Sequence, residues 1–393
     1  MPLVLYVLAL AVFAQGTSEF VLAGLLPDIA GDLDISLGQA GLLTSAFAIG
    51  MALGAPVMAA AGRRLPPRWT MSGFLALFTV AHMVGAVAGS FGVLFATRVV
   101  SALANAGFLA VALSTVTHIV PPRMRGRALA VILGGTTLAL VAGVPAGALV
   151  GTALGWRATL WAIALVSLPA LVAVLTATPT RTTPSDPAVP GRSLADELRT
   201  LRSAPVRVNI VLAVLVNAAT FCSFTYLAAV ADGPAGVDDT AVPLLLGGFG
   251  AGAFLGVTTA GRLADRNWPR VIAVCGPLLV LGWTLLAVTV ASEPALWVLT
   301  PVLGALSFAL GSTLIGRIMA TATGAPAMSG SFATVAMNLG AVVGPVAGGI
   351  AIELTGVRGP LAASAVLAAL AALLRRTTTR TTGDRTPVPG PVG

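Results

Sequence analysis

Glu19 and Arg98 are the two charged side chains that fall deep within long apolar stretches. A charge placed in the hydrocarbon of a bilayer costs from roughly 3 to over 10 kcal/mol, and such residues normally mark an ion or substrate path. Glu19 lies seven residues before the end of its apolar run at 3–26, and Arg98 a similar distance into the run at 92–118. With a helical rise of ~1.5 Å per residue, both sit about 10 Å below the same membrane surface. Burial favours the neutral carboxyl and a nearby guanidinium favours the carboxylate. Moving Arg98, or admitting a solute, would therefore capture or release one proton. The alternative is a static ion pair locking two helices, although buried pairs are poor stabilisers.

Uncharged polar groups surround this pair in the pattern. Gln15 is one turn from Glu19 on the same helix face, Asn105 is two turns from Arg98, and Asn217 and Asn338 lie in later runs. An apolar cavity holding a few such groups suits a neutral amphipathic solute with hydroxyls and an amide; hydrogen bonding between helices is the competing role. Phe221, Phe224 and Tyr226 would either stack on an aryl ring or pack. His82 reads as a satisfied core histidine and His118 as an interfacial one. Two histidines, with Cys222 and Cys275 in separate apolar runs, make no metal site. All basic residues are Arg, and the absence of Lys removes Schiff-base and P-loop chemistry. With no G-x-S-x-G, H-E-x-x-H or paired Asp, the chain is expected to be no enzyme and to need no cofactor.

The elements that hold these residues follow from composition. The 393 residues are 57% hydrophobic and 9% charged, with a mean hydropathy of +0.96, whereas soluble chains carry about 25% charged residues. A membrane-crossing helix needs ~20 apolar residues. Runs of that kind occur at 3–26, 39–61, 70–89, 92–118, 128–151, 157–178, 207–230, 241–262, 270–290, 295–320, 328–353 and 359–375. The expected fold is all-α, an integral membrane protein of twelve transmembrane helices. Nineteen of twenty-two Arg fall in the loops after even-numbered spans or in the tail, which predicts that both termini are cytoplasmic. The net charge of +8 is thus a matter of topology, not of nucleic-acid binding. Ser193 followed by Asp196 predicts a short surface helix within the linker 179–206. The Thr/Pro/Gly-rich tail, 377–393, is expected to be disordered.

An internal repeat divides the chain. Gly54, Arg64, Pro67 and Arg68 coincide with Gly256, Arg266, Pro269 and Arg270 at one shift of 202 residues, and Gly143-VPA-Gly147 echoes Gly344-PVA-Gly348. Two pseudo-symmetric six-helix halves, 1–178 and 207–376, explain both. Such a duplication puts a substrate site between the halves near the midplane, with access alternating as they rock. Gly143, Gly147 and Pro145, with Gly344 and Pro345, are expected to serve conformational gating, because small residues let helices approach closely and Pro bends them.

At these residues the chain resembles the major facilitator superfamily, in particular its twelve-span drug:proton antiporters. GRLADR at 261–266 is similar to the family's loop motif in its second-half copy, and Leu94 to Gly107 to the span-4 motif built on a buried Arg. Gly143–Gly147 resembles the antiporter motif of span 5. FAQGTSEFVLAGLLPDIA (13–30), ALANAGFLAVAL (102–113), GWRAT (155–159) and GALSFALGSTLI (304–315) resemble the chloramphenicol-resistance exporters. The resemblance implies a substrate cavity lined by spans 1 and 4, a sliding seam between the halves at the Gly/Pro motifs, and a gating role for the loop residues Asp265 and Arg266, the Asp in a charge contact bracing the outward-open state. In the first half Arg63 stands where the repeat has Asp265, so that acidic residue is missing there.

The resulting expectation is a drug exporter of the bacterial cytoplasmic membrane, exchanging protons for chloramphenicol or a related neutral amphipathic drug by alternating access, conferring antibiotic resistance and acting as a monomer. Export of sugars, metabolites or many drugs in the same fold, and uncoupled facilitation, are the alternatives. Its partners would be the solute, protons and the lipid bilayer.

Overall fold

In lipid every backbone N–H and C=O has to be satisfied within the segment that carries it, so apolar runs become helices. The protein is described by a computed structural model covering residues 3–61, 66–120, 124–177, 194–325 and 328–383. The elements are α1 (Leu3–Phe20), a 3-10 turn (Val21–Gly24), α2 (Leu26–Asp32), α3 (Leu37–Ala61), α4 (Pro67–Ala86) and α5 (Phe91–Ile119). Next come α6 (Arg125–Leu138), a π turn (Ala139–Gly143), α7 (Val144–Leu154) and α8 (Trp156–Ala177), completing the first half. The second half follows α9 (Leu194–Arg199) and comprises α10 (Ala204–Phe224), α11 (Leu227–Asp232), α12 (Val242–Val288), α13 (Glu293–Thr321), α14 (Ser329–Thr355) and α15 (Gly359–Gly383). Among the described residues eleven apolar helical stretches are long enough to cross a membrane, with α6 and α7 forming one and α12 two, divided at Asn267 (φ −154°, ψ 59°); the last stretch, Ser329–Thr377, holds both α14 and α15, which brings the helices of that length to twelve.

Three boundaries differ from the expectation. Span 1 is not one helix to residue 26. It ends at Phe20, tightens to 3-10 geometry and restarts as α2 with Pro27 in its first turn. Pro27 has no N–H to give to Ala23, and its ring crowds that carbonyl, so a straight continuation is blocked. The segment 262–270, read as a loop, is helical except at Asn267, which puts GRLADR on α12. Helix α15 runs seven residues into the segment read as tail, ending at Gly383.

Each half has its own core. Leu5, Leu8, Leu75, Phe78, Phe108 and Ile132 are among the buried residues of the first. The core of the second also takes in Phe20, Ala23, Leu140, Val144 and Ala148 from the first half, so apolar packing crosses between them. Two side-chain hydrogen bonds join the membrane halves among the described residues: Ser36 Oγ to Glu353 Oε1 at 2.6 Å and Ser45 Oγ to the Val342 carbonyl at 2.9 Å. Gly24 meets Leu246, Gly41 meets the Tyr226 ring, and Gly38 meets Gly349. Apart from the Ser45–Val342 bond, which lies nearer the middle of α3 and α14, these contacts lie at the helix ends remote from the Arg-rich loops. The same end is tied within the first half by Arg157, which bonds Asp32 at 2.5 Å and the Ala88 carbonyl at 3.1 Å.

The short helix expected after Ser193 is α9, although Ser193 itself lies outside the described residues. Glu197 on α9 is buried and accepts the Met328 N–H at 2.9 Å, just before α14. The linker helix is therefore docked on the second half.

Candidate functional site

The last turn of α1 organises the site. Carbonyls in a final helical turn lack their i+4 partners, and Ser18 stands there because of the break before Pro27. Arg98, on α5, is 2% exposed. Its Nη1 donates to Ser18 Oγ at 2.8 Å and its Nη2 to the Ser18 carbonyl at 2.9 Å. The guanidinium carbon lies 4.5 Å from the centre of the Phe47 ring on α3, a cation–π contact that offsets part of the desolvation of the charge. Arg98 Nε has no partner in the protein.

Behind Ser18 stands His82 on α4. Ser18 Oγ is 2.7 Å from His82 Nε2, and His82 Nδ1 is 2.8 Å from the Phe78 carbonyl. A carbonyl only accepts, so the partners assign the proton to Nδ1 and leave Nε2 to accept the Ser18 hydroxyl. The expectation of a satisfied histidine is met, and its partner is the residue that holds Arg98.

Glu19 is half-buried on the adjacent face of α1. It and Arg98 are close enough to interact through space, yet no ion pair within 4.0 Å joins them. Among the amides, Gln15 and Asn105 are each 1% exposed. Both polar atoms of the Gln15 amide and the Asn105 Oδ1 lack a partner in the protein. The other two amides are spent on structure. Asn217 Nδ2 donates to the Met337 carbonyl at 2.6 Å, joining α10 to α14, and Asn338 Nδ2 donates to Thr334 within α14 at 2.9 Å.

An aromatic chain adjoins Glu19 and crosses between the halves. The ring centres of Phe20 and Phe221 are 6.1 Å apart, Phe221 and Phe224 6.1 Å, Phe224 and Phe249 4.6 Å, and Phe249 and Phe308 6.2 Å. Tyr226 is not part of it. Its ring is fully buried and its hydroxyl donates to the Pro345 carbonyl at 2.7 Å, which makes it packing at the sealed end.

The Gly/Pro motifs need a correction. Added methyl groups at Gly143, Gly147 and Gly151 would overlap Thr17, Val21 and Leu25 on the α1 segment, and at Gly344 the α10 backbone. These glycines therefore close seams within each half rather than between the halves. What the motif turns towards the other half is Pro145, which packs on Gly247, beside the π turn whose Leu140 carbonyl abuts Gly250. The reason is helical geometry: residues 143, 147 and 151 share one face, and 140, 141 and 145 another. Asp265 and Arg266 lie on α12, but their side chains are outside the described residues. Among the described residues no group of His, Cys, Asp and Glu could hold a metal.

Ser18, Phe20 and Phe47 were not singled out in the sequence, and His82 was not connected with Arg98. A signal was present for the histidine: His82 lies seven residues before the end of its run at 70–89, the same depth as Glu19 and Arg98.

The chain matches the family model of the Major Facilitator Superfamily over residues 8–327 and 234–391. It is 54% identical over 376 residues, 95% of each chain, to a "Chloramphenicol resistance protein" of Streptomyces lividans. It is 32% identical over 355 residues, 89% of this chain and 88% of the other, to "Inner membrane transport protein YdhP" of Escherichia coli K12. Among solved structures, a bacterial homolog of the lysosomal transporter Spinster, inward-facing and unoccupied, superposes with a TM-score of 0.80 at 18% identity, covering 98% of both chains. The nucleoside transporter NupG gives 0.76 at 14% identity, covering 96% of this chain and 98% of that one.

Proposed function

This chain belongs to the major facilitator superfamily, and from that premise we propose that it exports chloramphenicol or a related neutral amphipathic drug in exchange for protons, conferring resistance. The observation that carries the reading is the 54% identity across 95% of both chains to the Streptomyces lividans protein. The site is consistent with it. Gln15 and Asn105 offer unspent polar atoms for a solute with hydroxyls and an amide, and the Phe20–Phe221–Phe224 group offers an apolar, aromatic flank.

The carrier lies in the bacterial cytoplasmic membrane as a monomer, with the Arg-rich loops and both termini in the cytoplasm. The sealed end is then the outer one, and drug enters from the cytoplasm. Drug binding releases the proton of Glu19; the halves rock, the drug leaves, and Glu19 is protonated from outside before the return. Arg98 supplies the charge that favours proton release.

The test is drug accumulation in cells expressing the chain, wild type beside Glu19→Gln, with and without a protonophore. Low chloramphenicol accumulation in wild type, rising to the empty-vector level on either perturbation, is the expected result. Accumulation equal to empty vector throughout, with protein present in the membrane, overturns the phenicol assignment and turns the search to sugars and other neutral solutes.

A further inference from the structure

We infer that Ser18 and His82 are positioning residues that hold the Arg98 guanidinium off the Glu19 carboxyl in this state. The inference rests on the reading of Glu19 as the proton carrier and adds two residues and a mechanism to it.

Ser18 and Glu19 are consecutive, so their side chains leave α1 about 100° apart. A guanidinium bonded to both oxygens of Ser18 is committed to one side of that helix. The direction of the chain of bonds matters. His82 Nδ1–H is tied to the Phe78 carbonyl, so the Ser18 hydroxyl donates its hydrogen bond to Nε2 and its Oγ lone pairs are left to accept from Arg98. Ser18, His82 and Arg98 are 0%, 3% and 2% exposed, so water does not compete for these bonds.

Stability alone does not account for the arrangement. For a guanidinium already buried, a carboxylate in electrostatic range offers more Coulomb attraction than neutral acceptors do. Here it is bonded to a hydroxyl and a carbonyl. The result is a Glu19 without an ion pair, whose charge state is open to change. When the Ser18 contact is lost, Arg98 is free to turn to Glu19 and favour its ionised form.

Few other charges bear on Glu19. The elements packed against α1 are α3, α5, α6, α7 and α8 with the π turn, and Phe20 also meets Phe221 and Phe224 of α10. Apart from Arg98 and His118, the titratable and charged residues on them are Arg125, Arg127, Arg157 and Arg207, at helix ends, and the Cys222 thiol of α10. His118 is near the end of α5, and α4 brings His82 together with Arg68 in its own first turn.

The experiment uses the full chain purified in detergent, treated with dicyclohexylcarbodiimide over a range of pH, with labelling at residue 19 read by peptide mass spectrometry. The reagent attacks protonated carboxyls, and Glu19→Gln gives the blank. In Ser18→Ala and His82→Leu the labelling midpoint is expected to move to lower pH by about one to three units, the effect of a close guanidinium on a carboxyl. His82→Gln, whose amide oxygen can accept the Ser18 hydroxyl, restores the wild-type midpoint. Should Ser18→Ala not fold, the two His82 variants carry the comparison.

An unchanged midpoint in the folded variants overturns the inference, as does wild type that never labels at residue 19. A drop in melting temperature without a midpoint shift assigns the chain of bonds to structure alone and also overturns it. Wild type that labels, with the expected shifts, but neither exports drug nor responds to a protonophore sinks the proposed function and leaves the positioning role standing.

Discussion

Gln15 and Asn217 are both amides in apolar spans, and their surroundings separate them. The Asn217 bond to the Met337 carbonyl ties α10 to α14. Asn217→Ala is expected to cost about 1 kcal/mol, the net worth of such a bond, seen as a lower melting temperature. Gln15 makes no bond within the protein, so Gln15→Leu removes an unsatisfied group. It should leave the melting temperature unchanged or raise it while weakening drug binding by about tenfold, which corresponds to ~1.4 kcal/mol. A Gln15→Leu protein that melts early and binds drug normally would contradict that assignment. Sequence alone left the four amides equivalent, because the choice between solute and helix partner depends on which carbonyl the fold brings within 3 Å.

The glycines of α7 and α14 act as contact surfaces between whole helices. A methyl at Gly344 would stand 2.5 Å from the Ala218 carbonyl and 2.8 Å from the Cys222 nitrogen, both backbone atoms that cannot rotate aside. Gly344→Ala is expected to destabilise the second half by about 1–3 kcal/mol, as overpacking does. Gly134 on α6 faces open space, and Gly134→Ala should be neutral or stabilising by about 0.5–1 kcal/mol. Detergent melting curves of the pair give the check; equal losses would mean that helix seams do not set the difference. The repeat in the sequence correctly marked both motifs as helix-approach sites. Which neighbour they approach was invisible, since a four-residue spacing defines a face but not the helix it meets.

Across the whole molecule, closure of the far end brings carboxylates of the two halves together. Asp28, on α2 of the first half, is held above its usual range by partial desolvation and by the nearby charge of Asp239 in the second half. A carboxyl raised in the folded state contributes stability that is fully present below its unfolded value and lost as pH rises through its folded one. At neutral pH the charged pair therefore opposes closure, and acid relieves it. Asp28→Asn is expected to raise the melting temperature at pH 8 and to lose that advantage as the pH falls towards 4, near the unfolded value. A gain independent of pH would place the effect in packing instead.

Fold class, the membrane-length spans and the two-half division could be read from residue order, because a bilayer imposes length and polarity on each span separately. Hydropathy is a local property, and every helix had to meet it on its own. The partners of Arg98, the inward-turned glycines and the burial of Tyr226 depend on how helices rotate about their axes and which ones adjoin. That rotation is set by side chains distant in sequence. Ser18 illustrates the limit: its neighbour Glu19 announced itself by charge, while Ser18 acquired its role when the break before Pro27 and the packing of α4 and α5 placed Arg98 and His82 on either side of it.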